Sequence, residues 1–391
     1  MKLSQRAIDL AESATLAVAA RAAKMKAEGV DVVGFGAGEP DFGTPEHICE
    51  AGIAAIKAGH TGYPKPASGL AETKKAVCER FERVNGLSYT PQQTIITSGG
   101  KECIHLAVHA VIDPGDEVVI PVPYWVSYPE IVRLAGGVPV VVAGAVANDY
   151  KVTPDLLRAV LTDRTRMVII NSPSNPSGVT YEPDEIRALA SVLTEREVLI
   201  LSDEIYDELL YDGQRTLSYA AVNDDAYAQT LTVNSASKTY AMTGWRLGYA
   251  GGPVDVVKAM AKLQSQSTSG AATFSQIALA TALTGDQSAV ESMRVEFERR
   301  GKHMWKRLTS MSGVACPKPT GAFYCFPDVS ATFARLGVSS SREFAARLLE
   351  KAKVAVVPGI AFGMDAHVRL SFATSMEEID KGLDRLAAFL E

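Results

Sequence analysis

The stretch that decides the fold is Ser235–Arg246, which reads SASKTYAMTGWR. Apolar runs directly before and after it predict two buried strands. A lysine is almost never fully buried without a partner, so Lys238 is unusual in this setting. Burial favours the neutral amine, which can condense with an aldehyde to form a Schiff base. Ser235 and Arg246 flank this lysine, and both can hold a phosphate. For this stretch alone, an exposed loop lysine beside an unrelated arginine is the alternative.

Composition places the chain among ordinary globular proteins. It has 391 residues, of which 47% are hydrophobic and 21% charged, and this length predicts about two to three domains. The net charge of −6 and the lack of a basic run argue against nucleic acid or an anionic membrane as a partner. No stretch approaches the roughly 18 apolar residues of a membrane span, and the N-terminus lacks the apolar core of a signal peptide. Five scattered cysteines without metal-binding spacing predict reduced thiols in the cytosol and no metal site.

An alternation of strands and helices predicts the α/β fold class. Apolar strand candidates lie at 94–97, 117–120, 140–142, 168–170, 199–201, 231–233 and 247–252. Helical segments separate most of them, which predicts a mostly parallel sheet covered on both faces. Before this region we expect helices at 5–29, 45–58 and 69–84 and a short strand at 31–35.

A glycine-rich loop at Gly34–Pro40 superficially resembles a dinucleotide-binding loop. The third spaced glycine is missing, and Pro40 with Pro45 interrupts the helix that should start there. We therefore reject a dinucleotide fold. The loop more readily brings bare backbone close to a ligand.

Polar or aromatic groups follow the same end of each predicted strand. They are found in Gly99–Lys101, Pro121–Trp125, Asn171–Gly178, Ser202–Tyr206 and Ser235–Lys238. The carboxyl ends of parallel strands meet at one edge of a sheet, where ligands bind. The turn Ser98–Gly100 leads into a helix whose free N–H groups suit a phosphate, although a turn chosen only for packing is equally possible.

Six motifs in order resemble those of the fold-type I, pyridoxal-phosphate-dependent aminotransferases, in the bacterial class I aspartate aminotransferase branch. The motifs are GEPDF at 38–42, PYWVSYP at 123–129, NPSG at 175–178, SDEIY at 202–206, the lysine stretch at 235–246 and HVRLS at 367–371. The resemblance extends from Ser13 to the C-terminal helix.

This resemblance implies two domains. A large cofactor-binding domain of residues 46–289 would hold a mostly parallel, seven-stranded sheet between helices. A smaller α/β domain would combine residues 1–45 and 290–391. In it we expect strands at 321–326, 354–358 and around Arg369 to form a sheet, backed by helices at 341–352 and 376–390.

The family's catalytic roles fall on Lys238, Asp203 and Tyr206. Lys238 would form the Schiff base with the cofactor and carry a proton. Asp203 would pair with the pyridine nitrogen and keep it protonated, although a helix N-cap is its structural alternative. Tyr206 and Asn175 would hydrogen-bond the ring oxygen. The full cofactor set implied is Gly99, Gly100, Lys101, Trp125, Asn175, Asp203, Tyr206, Ser235, Lys238, Arg246 and, from the neighbouring subunit, Tyr63.

Substrate recognition is implied at a second set of residues. Arg369 lies among apolar neighbours and would bind the α-carboxylate, with a structural ion pair as the alternative. Lys101 would bind the distal carboxylate. The full set is Gly38, Lys101, Trp125, Asn175, Arg369 and Thr15.

The function implied is transfer of the amino group of aspartate to 2-oxoglutarate, giving oxaloacetate and glutamate, by a cytoplasmic homodimer with shared active sites. The alternatives are an aspartate/glutamate–prephenate aminotransferase that makes arogenate, or an aminotransferase of broader range. A lyase or an aminocyclopropane carboxylate synthase is less favoured. A transcription regulator is disfavoured because the acidic chain leaves no room for a DNA-binding module in front. Intact Lys238, Asp203 and Arg246 argue against a degenerate binding protein.

The N-terminal run bears on prephenate. Relatives that use prephenate show Lys-Pro-Ser-Ala-Thr, whereas this chain has Ala11-Glu12-Ser13-Ala14-Thr15. The lysine is absent and Glu12 adds a negative charge. We therefore expect weak activity with prephenate.

Overall fold

A seven-stranded sheet forms the centre of the protein, whose computed structural model describes residues 1–10 and 14–391. Its strand order is β2-β8-β7-β6-β5-β3-β4, and only β8 runs antiparallel to its neighbours. The strands are β2 (Thr94–Thr97), β3 (Glu117–Val122), β4 (Val138–Ala143), β5 (Thr165–Asn171), β6 (Leu199–Asp203), β7 (Thr230–Ser235) and β8 (Gly248–Gly251). The predicted α/β class with a mostly parallel, seven-stranded sheet is confirmed.

Burial of the sheet follows from its apolar strands. Every residue of β2, β6, β7 and β8 is buried, as expected for strands covered by helices on both faces. The prediction is wrong at β4, where Val138 is 46% and Val141 53% exposed. β4 is the last strand of the sheet and is paired only with β3, so less of it is covered.

Helices surround the sheet and the two ends of the chain. They are α1 (Gln5–Asp9), α2 (Ala14–Ala27), α3 (Glu46–Lys57), α4 (Ala71–Arg80), α5 (Gly100–Val111), α6 (Ser127–Leu134), α7 (Pro154–Val160), α8 (Pro183–Leu193), α9 (Asp224–Gln229), α10 (Ala236–Thr239), α11 (Val254–Gln266), α12 (Thr273–Thr284), α13 (Ser288–Thr309), α14 (Phe333–Leu336), α15 (Ser341–Ala352) and α16 (Met376–Leu390). The predicted C-terminal helices are confirmed as α15 and α16. The single helix predicted at 5–29 is wrong, because the backbone is extended at Leu10. A π-helical turn at Phe81–Asn85 follows α4. Within the described residues, no helix has both the length and the apolar content needed to cross a membrane.

The two ends of the chain meet in two small sheets. β1 (Val33–Gly34) pairs in parallel with β10 (Val354–Ala355), whereas β11 (Val357–Pro358), β12 (Val368–Ser371) and β9 (Tyr324–Cys325) form an antiparallel sheet. The run predicted as one strand at 354–358 therefore serves two sheets. It switches partners at Val356, which is itself buried. The domain boundaries at 45/46 and 289/290 stay a prediction.

A buried ion network lies between α4 and the segment after β6. The guanidinium of Arg80 is fully buried and contacts Asp207 at 2.7 Å and Glu208 at 3.0 Å. It also donates to Asn85 at 2.5 Å. Burial and the nearby Asp207 raise the pKa of Glu204, which belongs to the same network, to about 7. These charges are tolerated because they are paired and hydrogen-bonded.

This network reaches the end of β7 through one amide. Asn234 donates to Asp207 and to the carbonyl of Glu204, both at 3.0 Å. Its own carbonyl oxygen accepts from the backbone N–H of Ser235 at 2.7 Å. The ends of β6 and β7 are thereby held together directly before Lys238.

Removing Arg80 should destabilise the protein strongly. Arg80→Ala leaves buried carboxylates unpaired, so we expect a loss of about 3–5 kcal/mol in the free energy of unfolding. Urea unfolding at fixed protein concentration measures it. The control is Arg158→Ala, which breaks an exposed pair with Asp155 and should change stability by no more than about 0.5 kcal/mol. Equal losses in the two variants would contradict the structural role of the network.

Candidate active site

The carboxyl edge of the sheet opens into a cavity of about 670 Å³. Strand ends bring polar groups there, as the sequence predicts. Of the predicted site residues, the cavity is lined by Thr15, Gly38, Gly100, Lys101, Trp125, Asn175, Asp203, Tyr206, Ser235, Lys238, Arg246 and Arg369. These residues come from both ends of the chain and from its middle, so folding assembles the cavity from distant segments.

One end of the cavity suits a phosphate. β8 starts where β2 and β7 end, with Gly248 in register with Thr97 and with Ser235. This pairing brings Arg246 to the start of α5. Gly99 adopts a φ of +96°, and a Cβ on it would lie 2.6 Å from the Arg246 guanidinium. The positive φ favours glycine at this position, and a Cβ would in addition push the end of the Arg246 side chain aside.

Lys238 stands in the middle of the cavity. It is half-buried, and its Nζ donates to the carbonyl of Gly38 at 2.5 Å. Burial lowers its pKa to about 8, opposed by Glu39 and assisted by the positive charges of Arg369 and Arg246. A substantial fraction of neutral amine is therefore present near neutral pH, as a nucleophile or proton carrier requires.

Asp203 lies at the base of the cavity and is 2% exposed. Burial raises the pKa of its carboxyl group to about 6, against the hydrogen bonds from Tyr128 and from the backbone of Ile205. The Tyr128 hydroxyl donates to Asp203 at 2.5 Å. Tyr128 is the sixth residue of the PYWVSYP motif. The motif predicts no role for it, because sequence order does not show which strand end its hydroxyl contacts.

Arg369 is a buried cation on β12 that has no ion pair with the described residues. It is 1% exposed, and it donates to Asn175 and to the carbonyl of Gly36, both at 2.9 Å. Its Nε has no partner, and no carboxylate of residues 1–10 or 14–391 lies within 4.0 Å. The alternative of a structural ion pair is therefore wrong for the described chain. Burial lowers the pKa of this arginine, and an anion entering the cavity would remove the cost.

Lys101 lies on the cavity wall beside Trp125. Its Nζ is 4.9 Å from the centre of the Trp125 ring, a cation–π distance. Burial and Arg246 lower its pKa. It is thus a second cation in the same cavity as Arg369.

Two predicted site residues do not line the cavity. Gly99 packs behind Arg246, and Tyr63 lies outside, with 81% of its surface exposed. The segment Ala11–Ser13, with Glu12, lies outside the described residues.

Comparison with known proteins gives the family. The family model for aminotransferase class I and II matches residues 30–386. The chain belongs to this family. An aspartate aminotransferase of Geobacillus stearothermophilus is 47% identical over 391 residues, covering 100% of this chain and 99% of the relative. An aspartate/prephenate aminotransferase of Nitrosomonas europaea is 45% identical and covers 100% of both chains. The structure of the Thermus thermophilus aspartate aminotransferase with maleate matches with a TM-score of 0.94 at 44% identity, over 100% of both chains.

Class I aminotransferases depend on pyridoxal phosphate, and the donor set of this cavity fits that group. The bare backbone at Gly99 and Gly100, with Ser235 and Arg246 (the phosphate cradle), offers donors that could hold a phosphate, in a space that a Cβ on either glycine would narrow. A buried carboxylate at Asp203 fits a protonated ring nitrogen, and the amine of Lys238 fits an aldehyde. The aminotransferase cavity thus offers a matching partner to each end of the cofactor.

The raised pKa of Asp203 predicts a pH-dependent cost in stability. Between its ordinary value of 3.8 and about 6, the folded protein binds more protons than the unfolded chain. Stability therefore falls as the pH rises through this window, and above about pH 6 the full cost remains. Asp203→Asn removes the charge, so the cofactor-free variant should be about 1–3 kcal/mol more stable than wild type at about pH 7.5.

Urea unfolding of cofactor-free protein at about pH 4.5 and about pH 7.5 measures this difference. The gain should shrink at the lower pH, where the wild-type carboxyl is mostly protonated. Asp184→Asn, at a side chain that is 95% exposed, is the matched control and should show no such trend. A gain that is independent of pH would contradict the buried carboxylate as its source.

Proposed function

We propose that this aminotransferase uses pyridoxal phosphate to transfer the amino group of aspartate to 2-oxoglutarate. The observation that carries the proposal is Arg369, a buried guanidinium that finds no carboxylate partner among residues 1–10 and 14–391, in the cavity that holds Lys238. A free positive charge in a desolvated site favours an anionic substrate, and the planar fork of an arginine matches an α-carboxylate.

The cofactor would be held by residues of the large sheet. Ser235, Arg246 and the backbone at Gly99 and Gly100 would bind its phosphate. When bound, pyridoxal phosphate supplies an electron sink that withdraws charge from the substrate α-carbon. Asp203 would keep the ring nitrogen protonated, because the buried carboxylate gains a cationic partner there.

The chain's own groups account for binding and proton movement. Arg369 orients the substrate by its carboxylate, with Asn175 fixing the guanidinium at 2.9 Å. Lys238, whose pKa is about 8, can take a proton from the substrate α-carbon and give a proton back in a later step of the transfer. Tyr206 also lines the cavity and can donate a hydrogen bond into it.

A dicarboxylate is the preferred substrate class. Lys101 gives the cavity a second cation, which suits the distal carboxylate of aspartate or glutamate. Relatives named aspartate aminotransferase, and a solved relative with maleate, a dicarboxylate, support this choice. Thr15 lines the same cavity.

A homodimer with shared sites forms part of the proposal. Tyr63, at 81% exposure, would reach the phosphate of the neighbouring subunit's cofactor. Cytoplasmic location is supported by five cysteines that are all free thiols.

Prephenate use is the second candidate function, favoured by the relatives named aspartate/prephenate aminotransferase. This chain keeps Thr15 and Lys101 but has Glu12 and no lysine in the run that precedes Thr15. A second anionic group on the substrate would then meet fewer cations. We therefore place prephenate below the dicarboxylic amino acids.

Lys238 should be the attachment point of the cofactor. Incubation with pyridoxal phosphate, borohydride reduction and peptide mapping should label Lys238, because its amine is neutral in part and the phosphate cradle lies beside it. Lys238→Ala should still bind the cofactor without a covalent bond, while transamination falls by several orders of magnitude. Lys101 is an internal competitor in the same cavity. A label on Lys101 rather than Lys238 would contradict this assignment.

Arg369 and Lys101 should contribute separately to substrate recognition. Arg369→Lys should lower kcat/KM for every amino acid by about tenfold to a hundredfold, since a point charge does not replace the bidentate fork. Lys101→Ala should lower kcat/KM by a similar factor for aspartate and glutamate but hardly for alanine. Initial rates over a panel of amino donors measure both effects.

Lys24→Ala is the control, at a lysine of α2 that pairs with Glu28 on the surface. It should leave every rate unchanged. With 2-oxo acids as amino acceptors, prephenate should show a kcat/KM about tenfold to a hundredfold below that of oxaloacetate. Equal values would show that Lys101 and Thr15 suffice for prephenate. If Arg369→Lys lowered kcat/KM only for dicarboxylic amino acids, Arg369 would not be the α-carboxylate site.

A further inference from the structure

Tyr324 contacts both Tyr206 and Arg369 from behind the wall of the cavity. It lies on β9, in register with Ser371 of β12, the strand that carries Arg369. Its hydroxyl is 2.9 Å from the Tyr206 hydroxyl. Its ring centre is 4.5 Å from the central guanidinium carbon of Arg369. Both tyrosines are at most 1% exposed.

The hydroxyl contact joins the two parts of the fold. Tyr206 follows β6 of the seven-stranded sheet, whereas Tyr324 belongs to the three-stranded sheet of the chain ends. Tyr206 lines the cavity. Tyr324 instead packs behind it, with its hydroxyl 3.9 Å from the point where a Cβ on Gly38 would stand. It therefore touches the residues that would meet the ligands without lining the cavity itself.

We propose that Tyr324 is a positioning residue for transamination, whose hydroxyl directs the Tyr206 proton into the cavity and whose ring orients Arg369 toward a carboxylate. The inference rests on the proposed function, because both actions matter only when cofactor and substrate occupy the cavity. No sequence motif pointed to it: Tyr324 lies in a run expected to be a strand and nothing more.

The effect of the Tyr324 hydroxyl depends on which of the two phenols donates the hydrogen bond between them. A phenol can donate one hydrogen bond and accept others. When Tyr324 donates to the Tyr206 oxygen, the Tyr206 proton is free for an acceptor in the cavity, and the first bond strengthens the second. Burial raises the pKa of both phenols, so both keep their protons. The charged groups near Tyr206 are Arg369 and Asp203.

The effect of the Tyr324 ring depends on the positive charge of Arg369. A carboxylate beside Arg369 would fix its orientation but would also neutralise it and compete with the substrate. An aromatic face attracts the guanidinium while its positive charge is kept. Phe362 lies on the same guanidinium at 5.2 Å from its ring centre. Two aromatic faces thus hold a cation that remains available to an anion.

The experiment compares Tyr324→Phe, which removes only the hydroxyl, with Tyr324→Leu, which also removes the ring. Both are made in the full chain loaded with pyridoxal phosphate, beside wild type and Tyr206→Phe. The first readout is the pH midpoint of the absorbance change of the bound cofactor. The second is the dissociation constant for succinate, a dicarboxylate that cannot be transaminated. Tyr211→Phe is the matched control, since Tyr211 is buried nearby and its hydroxyl donates to the carbonyl of Ala322.

Tyr324→Phe should raise the pH midpoint by about 0.5–1 unit, the effect of one hydrogen bond. The direction is upward because Tyr206 then donates less strongly to the ring oxygen, so the deprotonated cofactor is less stabilised. Tyr206→Phe should shift it further the same way, and adding Tyr324→Phe to that variant should change little more. Succinate affinity should stay within about threefold for Tyr324→Phe and fall about tenfold for Tyr324→Leu.

An unchanged midpoint in Tyr324→Phe, additive shifts in the double variant, or equal shifts in Tyr211→Phe would overturn the role of the hydroxyl. Undiminished succinate affinity in Tyr324→Leu would overturn the role of the ring. If wild type bound no pyridoxal phosphate, the proposed function would fail and this inference with it. If wild type and Tyr206→Phe behave as described, a failure at Tyr324 concerns this inference alone.

Discussion

The reversed strand β8 is the constraint on which the site depends. Parallel strands deliver only their carboxyl ends to one edge of a sheet, so loops that follow β2, β6 and β7 meet there. Because β8 runs the other way between β2 and β7, the segment before it reaches the same edge. Arg246 belongs to that segment. A parallel β8 would place it at the opposite end of the sheet, about 10–15 Å away for a four-residue strand.

The close approach of β8 to the start of α5 depends on a residue without a side chain. A Cβ on Gly248 would lie 2.4 Å from the backbone N of Gly100, so only glycine lets β8 pass the start of α5 at this distance. Gly99 lies against the Arg246 guanidinium, and its φ of +96° favours glycine there. The phosphate cradle is thus a consequence of backbone packing between two strands and a helix, before any side chain is considered.

Sequence patterns predicted the strands and their polar ends, because these features depend on local periodicity and on chain order. The resemblance to a known family implied twelve of the residues that line the cavity. Neither the patterns nor the resemblance predicted Tyr128 or the Arg80 network. Those contacts join α6 to β6 and α4 to the segment after β6, and such pairings depend on how helices rotate onto the sheet. The division of 354–358 between two sheets was missed for a similar reason: an apolar run does not show which partner each half will take.

Burial shifts several groups of the cavity in one sense, toward their uncharged forms. It raises the pKa of Asp203 to about 6 and lowers those of Lys238, to about 8, and of Arg369. In each case burial, which penalises the charged form, is the largest cause of the shift. In the Arg80 network a buried guanidinium contacts two carboxylates, whereas no carboxylate of the described residues lies within 4.0 Å of Arg369. The Nε of each arginine has no hydrogen-bond partner among those residues. The incomplete pairing at Arg369 and Asp203 therefore belongs to the cavity, where ligands of opposite charge would complete it, and the stability that it costs is the physical basis for binding them.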